Sequence, residues 1–241
     1  MNNKFLLKLD CVKKYYPIYS SVLQRIINYK KVLENVSFSM LEGEVNGILG
    51  ESGSGKTTIA KLITRRELCD AGKIIFPDGE IKQLSTKSMA KNVQMVFQNP
   101  YSALNPKHKI EFILKERIVQ YYKLNNINFT ERVIKEQISE LLEMVKLPED
   151  ILSKYPLELS GGQRQRVAIL AAVVLKPRLV ILDEPLSSLD ISLQAQILNY
   201  LSEIKKKYRL SYLFITHDRN LAEYFCDKIF VLREGVLNEN N

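Results

Sequence analysis

The sequence has few cysteines and no long apolar run. Its 241 residues include three cysteines, Cys11, Cys69 and Cys226, and none of them forms a Cys-x-x-Cys pair. That spacing argues against a structural zinc site, an iron–sulfur cluster and a disulfide framework. The longest apolar run, residues 167–175, is far shorter than the ~20 residues of a membrane-spanning helix. Because the N-terminus also lacks the apolar core of a secretory signal, we expect a cytoplasmic protein.

Internal repeats and low-complexity segments are absent as well, and the length suits one large α/β domain or one domain with an inserted subdomain. Apolar residues make up 46% of the chain, which allows a substantial core. The net charge of +8 is compatible with a nucleotide binder, a nucleic-acid binder or a protein beneath an anionic membrane leaflet. The charge alone does not choose among these three classes.

The first part of the chain predicts two strands with a short helix between them. Residues 4–16 and 32–40 have the composition of strands, and Pro17 is expected to end the first. Five apolar residues between the strands recur at the spacing of one helical face, which predicts a short amphipathic helix that packs on the sheet or, alternatively, contacts a membrane protein. These residues are Tyr19, Val22, Leu23, Ile26 and Ile27.

The rest of the chain alternates between strand and helix patterns, as in an α/β core. Short strands and turns are predicted over residues 73–97, and a helical period over residues 111–145 predicts a mainly helical insertion at about residues 99–158. The remaining predicted elements are strands over residues 44–49, 179–182, 212–215 and 228–232 and a helix over residues 57–65.

A glycine-rich loop lies between the predicted strand 44–49 and the predicted helix 57–65. Residues 50–57 read G-E-S-G-S-G-K-T and match G-x-x-x-x-G-K-[ST] in the required strand–loop–helix context. Backbone N–H groups and the helix N-terminus would hold phosphate, Lys56 would reach the β- and γ-phosphates, and the Thr57 hydroxyl would hold Mg²⁺. The predicted nucleotide-binding residues of this segment are Gly50, Ser52, Gly53, Ser54, Gly55, Lys56, Thr57 and Thr58.

An acidic pair follows the apolar strand 179–182. Asp183 and Glu184 stand at its carboxyl end, where ligands gather in open α/β sheets. Asp183 is the candidate partner of Mg²⁺, through water. Glu184 is the candidate base that orients and polarises an attacking water molecule.

A third motif, Leu159-Ser160-Gly161-Gly162-Gln163, lies between the first two. Ser160 and Gln163 have the spacing of a capping box, in which each side chain bonds the backbone N–H of the other residue. Capping alone does not require two glycines, whereas glycines at a helix N-terminus permit close approach of a phosphate. We therefore predict a second phosphate-binding surface, at Ser160, Gly161, Gly162 and Gln163.

In this order the three motifs resemble the ATPase subunit of ABC transporters, and the resemblance covers nearly the whole chain. It implies an α/β P-loop NTPase cassette with a RecA-like core, an N-terminal antiparallel β subdomain and an inserted α-helical subdomain, all in one domain over residues 1–241. It also implies that ATP and Mg²⁺ are bound, and that ATP is hydrolysed between two paired subunits. The third motif would then contact the nucleotide held by the opposing subunit.

The resemblance also assigns roles to residues outside the three motifs. Gln98, in Phe-Gln-Asn-Pro, matches the Q-loop and would contact Mg²⁺ and the attacking water. Asp190 matches the D-loop at the dimer contact, and His217 matches the switch histidine at the γ-phosphate. Tyr16 best matches the aromatic residue that stacks on adenine, with Tyr15 as the second choice.

A narrower resemblance points to importers of oligopeptides, dipeptides or nickel. Residues 94–106, 161–166 and 192–196 are similar to their ATPases, and the insertion at residues 17–31 resembles the second ATPase of such systems. Ala171 departs from the family, which usually has arginine there. The implied partners are a second ATPase subunit (a heterodimer is favoured and a homodimer left open), two transmembrane permease subunits and, indirectly, an extracellular solute-binding protein. Nucleic acid is not an implied partner, and the implied location is the cytoplasmic face of the membrane, as a peripheral subunit.

Two other classes remain as alternatives. One is the ATPase of another ABC transporter, an exporter or a lipid transporter. The other is a soluble ABC ATPase of translation or DNA repair, which the basic charge permits. Proteins of that class usually fuse two cassettes or insert a long coiled coil, and this sequence has neither.

Overall fold

The structure, a computed structural model, describes residues 5–20, 25–99 and 103–239. The chain divides into two compact units, one of Met1–Met89 with Tyr212–Asn241 and the other of Ala90–Ser211. In chain order the described elements are β1 (Phe5–Tyr19), β2 (Ile26–Leu41), β3 (Val45–Leu49), α1 (Lys56–Ile63), β4 (Ala71–Phe76), β5 (Gly79–Glu80), α2 (Thr86–Asn92), β6 (Val93–Val96), α3 (Ile110–Asn125), α4 (Glu131–Met144), α5 (Gly161–Val173), β7 (Leu179–Asp183), α6 (Ile191–Tyr208), β8 (Ser211–Thr216), α7 (Arg219–Phe225), β9 (Lys228–Arg233) and β10 (Val236–Glu239).

Strands of the first unit follow the order β5-β4-β1-β2-β10-β9-β3-β8. β1 is antiparallel to both β2 and β4, and β4 is antiparallel to β5. β3 lies between β8 and β9 and is parallel to both. Its first four residues are buried, as a central parallel strand requires. The β3–α1 connection therefore begins at the carboxyl edge of a parallel group of strands.

The predicted helix between the first two strands is wrong for the residues that the structure describes. Tyr19 ends β1 and pairs with Ile26, the first residue of β2, and Ile27 lies in β2 as well. Aromatic and β-branched residues favour strands, and their spacing along the chain does not reveal which residue lies opposite in a hairpin. Val22 and Leu23, which belonged to the same prediction, lie outside the described residues.

Pro17 does not end β1, contrary to the sequence prediction. It lies within the strand, opposite Tyr29 of β2. The last pair between β1 and β4 is Lys13 with Ala71, so that from Lys14 onwards the described part of β1 pairs only with β2. Proline is tolerated there because a strand without a second neighbour has one edge on which no ladder hydrogen bond is needed.

The second unit pairs two parallel strands, β6 and β7, from Val93 opposite Leu179 to Val96 opposite Leu182. α3, α4 and two short 3₁₀-helices (Glu149–Ser153 and Pro156–Glu158) lie between β6 and α5. The helical period predicted over residues 111–145 is confirmed in and just after α4, because the apolar residues at that spacing are buried. They are Ile134, Ile138, Leu141, Leu142 and Val145.

Three of the described helices, α2, α6 and α7, were not predicted. α2 lies inside residues 73–97, for which the sequence indicated only strands and turns. The Ser85 hydroxyl accepts a hydrogen bond from the Ser88 N–H at 3.1 Å and caps the start of this helix. Among the described residues, each helix is too short or too polar to span a bilayer.

Candidate nucleotide-binding site

The glycine-rich loop joins β3 to α1 within the first unit. Gly55, at the N-cap of α1, has φ +108° and carries no side chain that could compete with a ligand for the first-turn N–H groups. A Cβ on Gly55 would lie 3.0 Å from Val32 Cγ1, and one on Gly50 would lie 2.8 Å from the carbonyl oxygen of Leu232. The loop therefore requires glycine at both positions for conformation or space, and its backbone curls tightly before the helix.

Lys56 places its ammonium group inside this loop. The residue is only 5% exposed and donates hydrogen bonds to the carbonyl oxygens of Gly50, at 2.7 Å, and Glu51, at 2.8 Å. The Ser54 hydroxyl is also buried, and it has no hydrogen-bond partner within the described part of the chain. Buried polar groups are nearly always satisfied, and a cation favours a charged acceptor. These two groups therefore suit a phosphate ligand.

His217 leaves the sheet at the same edge as the loop. Leu49, the last residue of β3, pairs with Thr216, the last residue of the parallel strand β8. Gly50 and His217 are the residues that follow these two, and the His217 side chain is exposed. Asp218 fixes the turn, because its N–H donates to the Thr216 hydroxyl at 3.0 Å and its carboxylate caps α7. The structure thus brings the predicted switch histidine and the phosphate loop to one edge of one sheet.

Tyr16 is tied to the helix that follows the loop. Its hydroxyl donates to the Glu67 carboxylate and accepts a hydrogen bond from the Thr58 side chain in α1. Burial, followed by the Glu67 hydrogen bond, raises the pKa of the Tyr16 phenol, so the ring stays neutral at physiological pH. Lys61 pairs with Glu67 at 3.1 Å, and the Lys14 ammonium lies 5.4 Å from the Tyr16 ring centroid. No sequence pattern indicated Glu67, because Tyr16 is distant from it in the chain.

The second choice for the aromatic residue, Tyr15, has different contacts. Its backbone N–H donates to the Asp70 carboxylate at 2.6 Å. Neighbouring side chains in a strand point to opposite faces, so Tyr15 and Tyr16 cannot share one surface. The contact of Tyr16 with Thr58 places Tyr16, of the two, beside α1.

The predicted acidic pair stands at the carboxyl end of β7, within the second unit. Asp183 is the last residue of β7 and is only 4% exposed, and Glu184 follows with φ +45°. Because β6 is parallel to β7, with Val96 opposite Leu182, both strands end at the same edge. There the Gln98 side-chain amide donates to the Glu184 carboxylate at 3.2 Å. Two residues predicted to be catalytic are therefore in contact.

Ser160 and Gln163 form the capping box that their spacing predicts. The Ser160 hydroxyl accepts from the Gln163 N–H at 3.3 Å, and the Gln163 side-chain oxygen accepts from the Ser160 N–H at 3.0 Å. Both members of the box lie on the N-terminal end of α5. Ser160 and Gly161 are exposed, so the capped end remains accessible to a ligand.

The two glycines of this motif have different surroundings. Gly162 is buried, and a Cβ there would lie 2.4 Å from Leu193 Cδ2 in α6. A Cβ on Gly161 would come no nearer than 4.0 Å to its nearest neighbour, Leu189 Cδ2. Packing of α5 on α6 therefore explains Gly162 without any ligand. Gly161 has no such packing reason, and the space beside it leaves room for a ligand.

We expect alanine at these two glycines to separate packing from activity. Gly161→Ala should leave the free energy of unfolding unchanged or raise it by up to about 1 kcal/mol, because alanine is the better helix former, and should lower ATP turnover. Gly162→Ala should lower the free energy of unfolding by up to about 2 kcal/mol, because overpacking against the Leu193 side chain outweighs the better helix propensity of alanine. Leu193→Ala in the same chain should recover part of that loss. Denaturant unfolding and ATP turnover of the three variants test this. Equal unfolding free energies for both alanine variants would contradict it.

Two arginines that were not predicted as functional hold the segment before α5. Arg164 is 9% exposed and donates to the carbonyl oxygens of Pro156, at 2.9 Å, and Leu159, at 2.7 Å. Arg166 donates to the carbonyl oxygen of Val145, just after α4, at 3.1 Å. A basic residue among the apolar positions of a helix is the sequence signal that could have indicated such an anchor. Ala171, where the motif resemblance led us to expect arginine, is buried in the same helix.

Asp190 has a structural partner within its own segment. It is the N-cap of α6, and its carboxylate accepts from the Leu193 N–H at 2.9 Å. The Gln194 side chain donates to the carbonyl oxygens of Leu186 and Leu189, each at 3.1 Å. These bonds fold the turn before α6 and leave Asp190 exposed at its surface.

The predicted Mg²⁺ ligands are a hydroxyl, an amide and a carboxylate, from Thr57, Gln98 and Asp183. All three supply the hard oxygen atoms that Mg²⁺ prefers. No cluster of three or more His, Cys, Asp or Glu side chains suited to a metal occurs within the described residues. One carboxylate suits Mg²⁺, which keeps several waters and is commonly bound through substrate phosphates.

Comparison with known proteins gives consistent matches. Residues 33–187 match the family model ABC_tran, described as ABC transporter. The chain is 41% identical to the oligopeptide transport ATP-binding protein AppF of Bacillus subtilis, over 99% of this chain and 72% of that protein. It is 38% identical to the oligopeptide transport ATP-binding protein OppF of Lactococcus lactis, over 97% of this chain and 73% of that protein.

Among solved structures, the dimeric ATP-binding cassette MJ0796 in a post-hydrolysis state with ADP and Pi superposes with a TM-score of 0.84. It is 26% identical and covers 98% of each chain. A second structure of the same bacterial cassette gives a TM-score of 0.83, with the same identity and coverage. The fold class expected from the sequence is confirmed by this likeness.

Proposed function

The chain belongs to the ABC transporter family, and on this premise we propose that it is the ATP-hydrolysing subunit that powers an importer of peptides. The observation that carries the proposal is the 41% identity, over 99% of this chain, to a protein named for oligopeptide transport. Nickel or another small solute is the alternative cargo, and it rests on the similarity of motifs alone. An exporter or lipid-transport ATPase is a weaker alternative.

In this proposal the phosphate loop holds the triphosphate of ATP. The loop N–H groups and the start of α1 bind phosphate oxygens, and Lys56 exchanges the Gly50 and Glu51 carbonyl oxygens for the β- and γ-phosphates. Thr57 would supply a hydroxyl to Mg²⁺, and Tyr16 stacks on adenine. The supporting geometry is the buried ammonium group and the anchoring of Tyr16 on Thr58 and Glu67.

Hydrolysis depends on the groups at the carboxyl ends of the strands. Glu184 polarises the attacking water, and the Gln98 amide holds the Glu184 carboxylate in position. His217 stabilises the γ-phosphate, and Asp183 would hold Mg²⁺ through a water molecule. Mg²⁺, when bound, neutralises charge on the phosphate oxygens. The protein's part is positioning and electrostatic stabilisation, which account for most of catalysis in phosphoryl transfer.

The partners follow from the third motif and from the relatives. Ser160, Gly161, Gly162 and Gln163 contact the nucleotide of an opposing ATPase subunit, and Asp190 lies at the dimer contact. The motif resemblance favours a heterodimer, with a homodimer left open, on two permease subunits at the cytoplasmic face of the membrane. A solute-binding protein acts indirectly, and nucleic acid has no part. The whole chain is one cassette, with residues 99–158 as the inserted helical subdomain that transmits closure to the permease.

ATP turnover of the purified chain, alone and with candidate permease and ATPase partners in detergent, tests the proposal. We expect low turnover alone and strong stimulation when permease and partner are both present. Uptake of labelled peptide by proteoliposomes that contain the complex, measured against nickel, identifies the cargo. High turnover alone that no membrane protein alters would instead indicate a self-sufficient ATPase.

Two replacements of Tyr16 should distinguish the contribution of its ring to ATP binding from that of its hydroxyl. Tyr16→Phe keeps the stacking face and loses the bonds to Glu67 and Thr58, so we expect the Kd for ATP to change by less than about fivefold. Tyr16→Ala loses the face, and base–aromatic stacking of about 1–3 kcal/mol corresponds to roughly 5–150-fold weaker binding. Titration calorimetry with ATP and with triphosphate alone checks this, because only the ATP affinity should fall. Tyr15→Ala serves as the matched control.

A further inference from the structure

The β1–β2 hairpin extends beyond the rest of its sheet as a two-stranded ribbon. β2 pairs with β10 at Asn35, and β1 pairs with β4 no further than Lys13. Beyond these points the described residues of β1 and β2 pair only with each other, as far as Tyr19 opposite Ile26. We call residues 17–20 and 25–31 the arm. A two-stranded ribbon is marginally stable in water, so its exposed side chains require an explanation.

The arm exposes large apolar side chains. Ile18 is 42% exposed, Tyr19 57%, Ile26 49%, Ile27 66% and Tyr29 54%. Exposed strands are normally protected by charge or by shortening, because bare apolar edges promote association. So many exposed apolar groups on one short ribbon indicate a surface that another phase or molecule covers.

The charged groups of the arm are all positive. Arg25, Lys30 and Lys31 are exposed, and the arm contains no aspartate or glutamate. The nearest acidic residue along β2 is Glu34, which lies 3.8 Å from the Lys31 ammonium group. An exposed ion pair of this kind is weak and leaves Lys31 available to a stronger anion. The arm is therefore complementary to an anionic surface.

The strand register divides the arm into two faces. Pro17 is opposite Tyr29, and Tyr19, two residues further along β1, lies on the same face as Pro17. The register shifts between Ile18 and Tyr19, so alternation along β2 assigns no face to Ile26. Tyr16, next to Pro17 in β1, points to the other face because side chains alternate along a strand. The face that carries Tyr19 and Tyr29 is therefore free of the nucleotide role proposed for Tyr16.

We propose that this face of the arm docks on an anionic phospholipid surface. Tyrosine rings favour the headgroup layer of a bilayer, where the ring is apolar and the hydroxyl is wet. Arg25 and Lys31 would lie against lipid phosphates, and each cation near such a surface favours binding about fivefold.

A protein partner suits the arm less well than lipid. The described cations of the arm, Arg25, Lys30 and Lys31, and its exposed tyrosines match an anionic headgroup layer, which a bilayer presents without a shaped partner surface. The docking goes beyond the proposed transport function, since it needs neither permease nor ATP.

A tryptophan reporter tests the docking directly, because the chain contains no tryptophan. Tyr29→Trp places the one tryptophan on the arm, and Tyr224→Trp is the matched control in α7, where Tyr224 is 70% exposed. With vesicles of phosphatidylcholine and phosphatidylglycerol, the arm reporter should shift its emission to the blue and be quenched by brominated lipid. The control should do neither, and neutral vesicles should have little effect on either. An unchanged arm reporter, or equal shifts in both, would overturn the proposal.

Vesicle co-sedimentation measures the same contact as an affinity. Arg25→Gln with Lys31→Gln should lower partition into anionic vesicles by about 25-fold, while Lys82→Gln should leave it close to the native value. Tyr19→Ser with Tyr29→Ser should also lower it, and thermal unfolding should show that both double variants remain folded. Arm variants that partition like the native chain but fail to assemble with the permease would assign the arm to a protein partner and overturn the lipid assignment. Neither readout measures ATP turnover, so a failure of the lipid proposal can be told apart from a failure of the transport proposal.

Discussion

Glu184→Gln is expected to lower ATP turnover by about 10²–10⁴-fold while the Kd for ATP stays within about threefold of the native value. We expect this loss because a general base typically increases the rate by about 10²–10⁴-fold. The replacement is sterically mild, because a glutamine oxygen can still accept the hydrogen bond that Gln98 donates at 3.2 Å. Single-turnover hydrolysis at saturating ATP, measured with a permease and partner ATPase present, separates the chemical step from assembly.

The matched control is Glu143→Gln, an exposed carboxylate in α4 of the same unit, which should turn over ATP at the native rate. We also expect Glu184→Gln to accumulate a closed pair of subunits with ATP, detectable as a larger species by size-exclusion chromatography. Turnover of Glu184→Gln within a few-fold of the native rate would remove Glu184 from the catalytic role. The ATP turnover of Gln98→Ala would then be compared with that of the native chain.

Lys56→Ala should weaken ATP binding by about 10²-fold or more. The native ammonium group is buried, and hydrogen bonds to a charged group contribute about 1.5–3 kcal/mol each. At an ATP concentration of 100 times the native Kd, ATP should raise the free energy of unfolding of the native chain by about 2.7 kcal/mol. The same concentration should raise that of Lys56→Ala by only about 0.4 kcal/mol.

Unfolding free energies measured with and without ATP separate a loss of ATP binding from a loss of protein stability. Without ATP, Lys56→Ala also loses the bonds to the Gly50 and Glu51 carbonyl oxygens, so its own free energy of unfolding is measured first and subtracted. Lys87→Ala, an exposed lysine in α2, should respond to ATP like the native chain. An equal rise for Lys56→Ala and the native chain would contradict the assignment of Lys56 to the phosphates.

Local motifs could be predicted with useful precision. The strand, loop and helix around residues 50–57 lie where their sequence places them, and the Ser160–Gln163 capping box has the predicted bonds. Each of these features depends on residues that are consecutive or a few positions apart. Their backbone geometry is set by glycine conformations and by side chains that reach their own helix terminus.

Several features of the site depended on residues far apart in the chain. The sequence predicted both Gln98 and Glu184 but not the hydrogen bond between them, which requires β6 and β7 to end side by side. The sequence explained Gly161 and Gly162 alike, whereas only Gly162 packs against Leu193.

The arm shows most clearly the difference between what local sequence predicts and what contacts between distant residues decide. The spacing of Tyr19, Ile26 and Ile27 indicated a helix, because periodicity compares residues along one chain segment only. Their strand conformation comes from the hairpin, in which Tyr19 pairs across to Ile26. Motif chemistry was therefore determined by near neighbours in the chain and could be inferred from the sequence. Partner choice among strands and helices was decided by tertiary packing, because register and burial depend on contacts that no local pattern specifies.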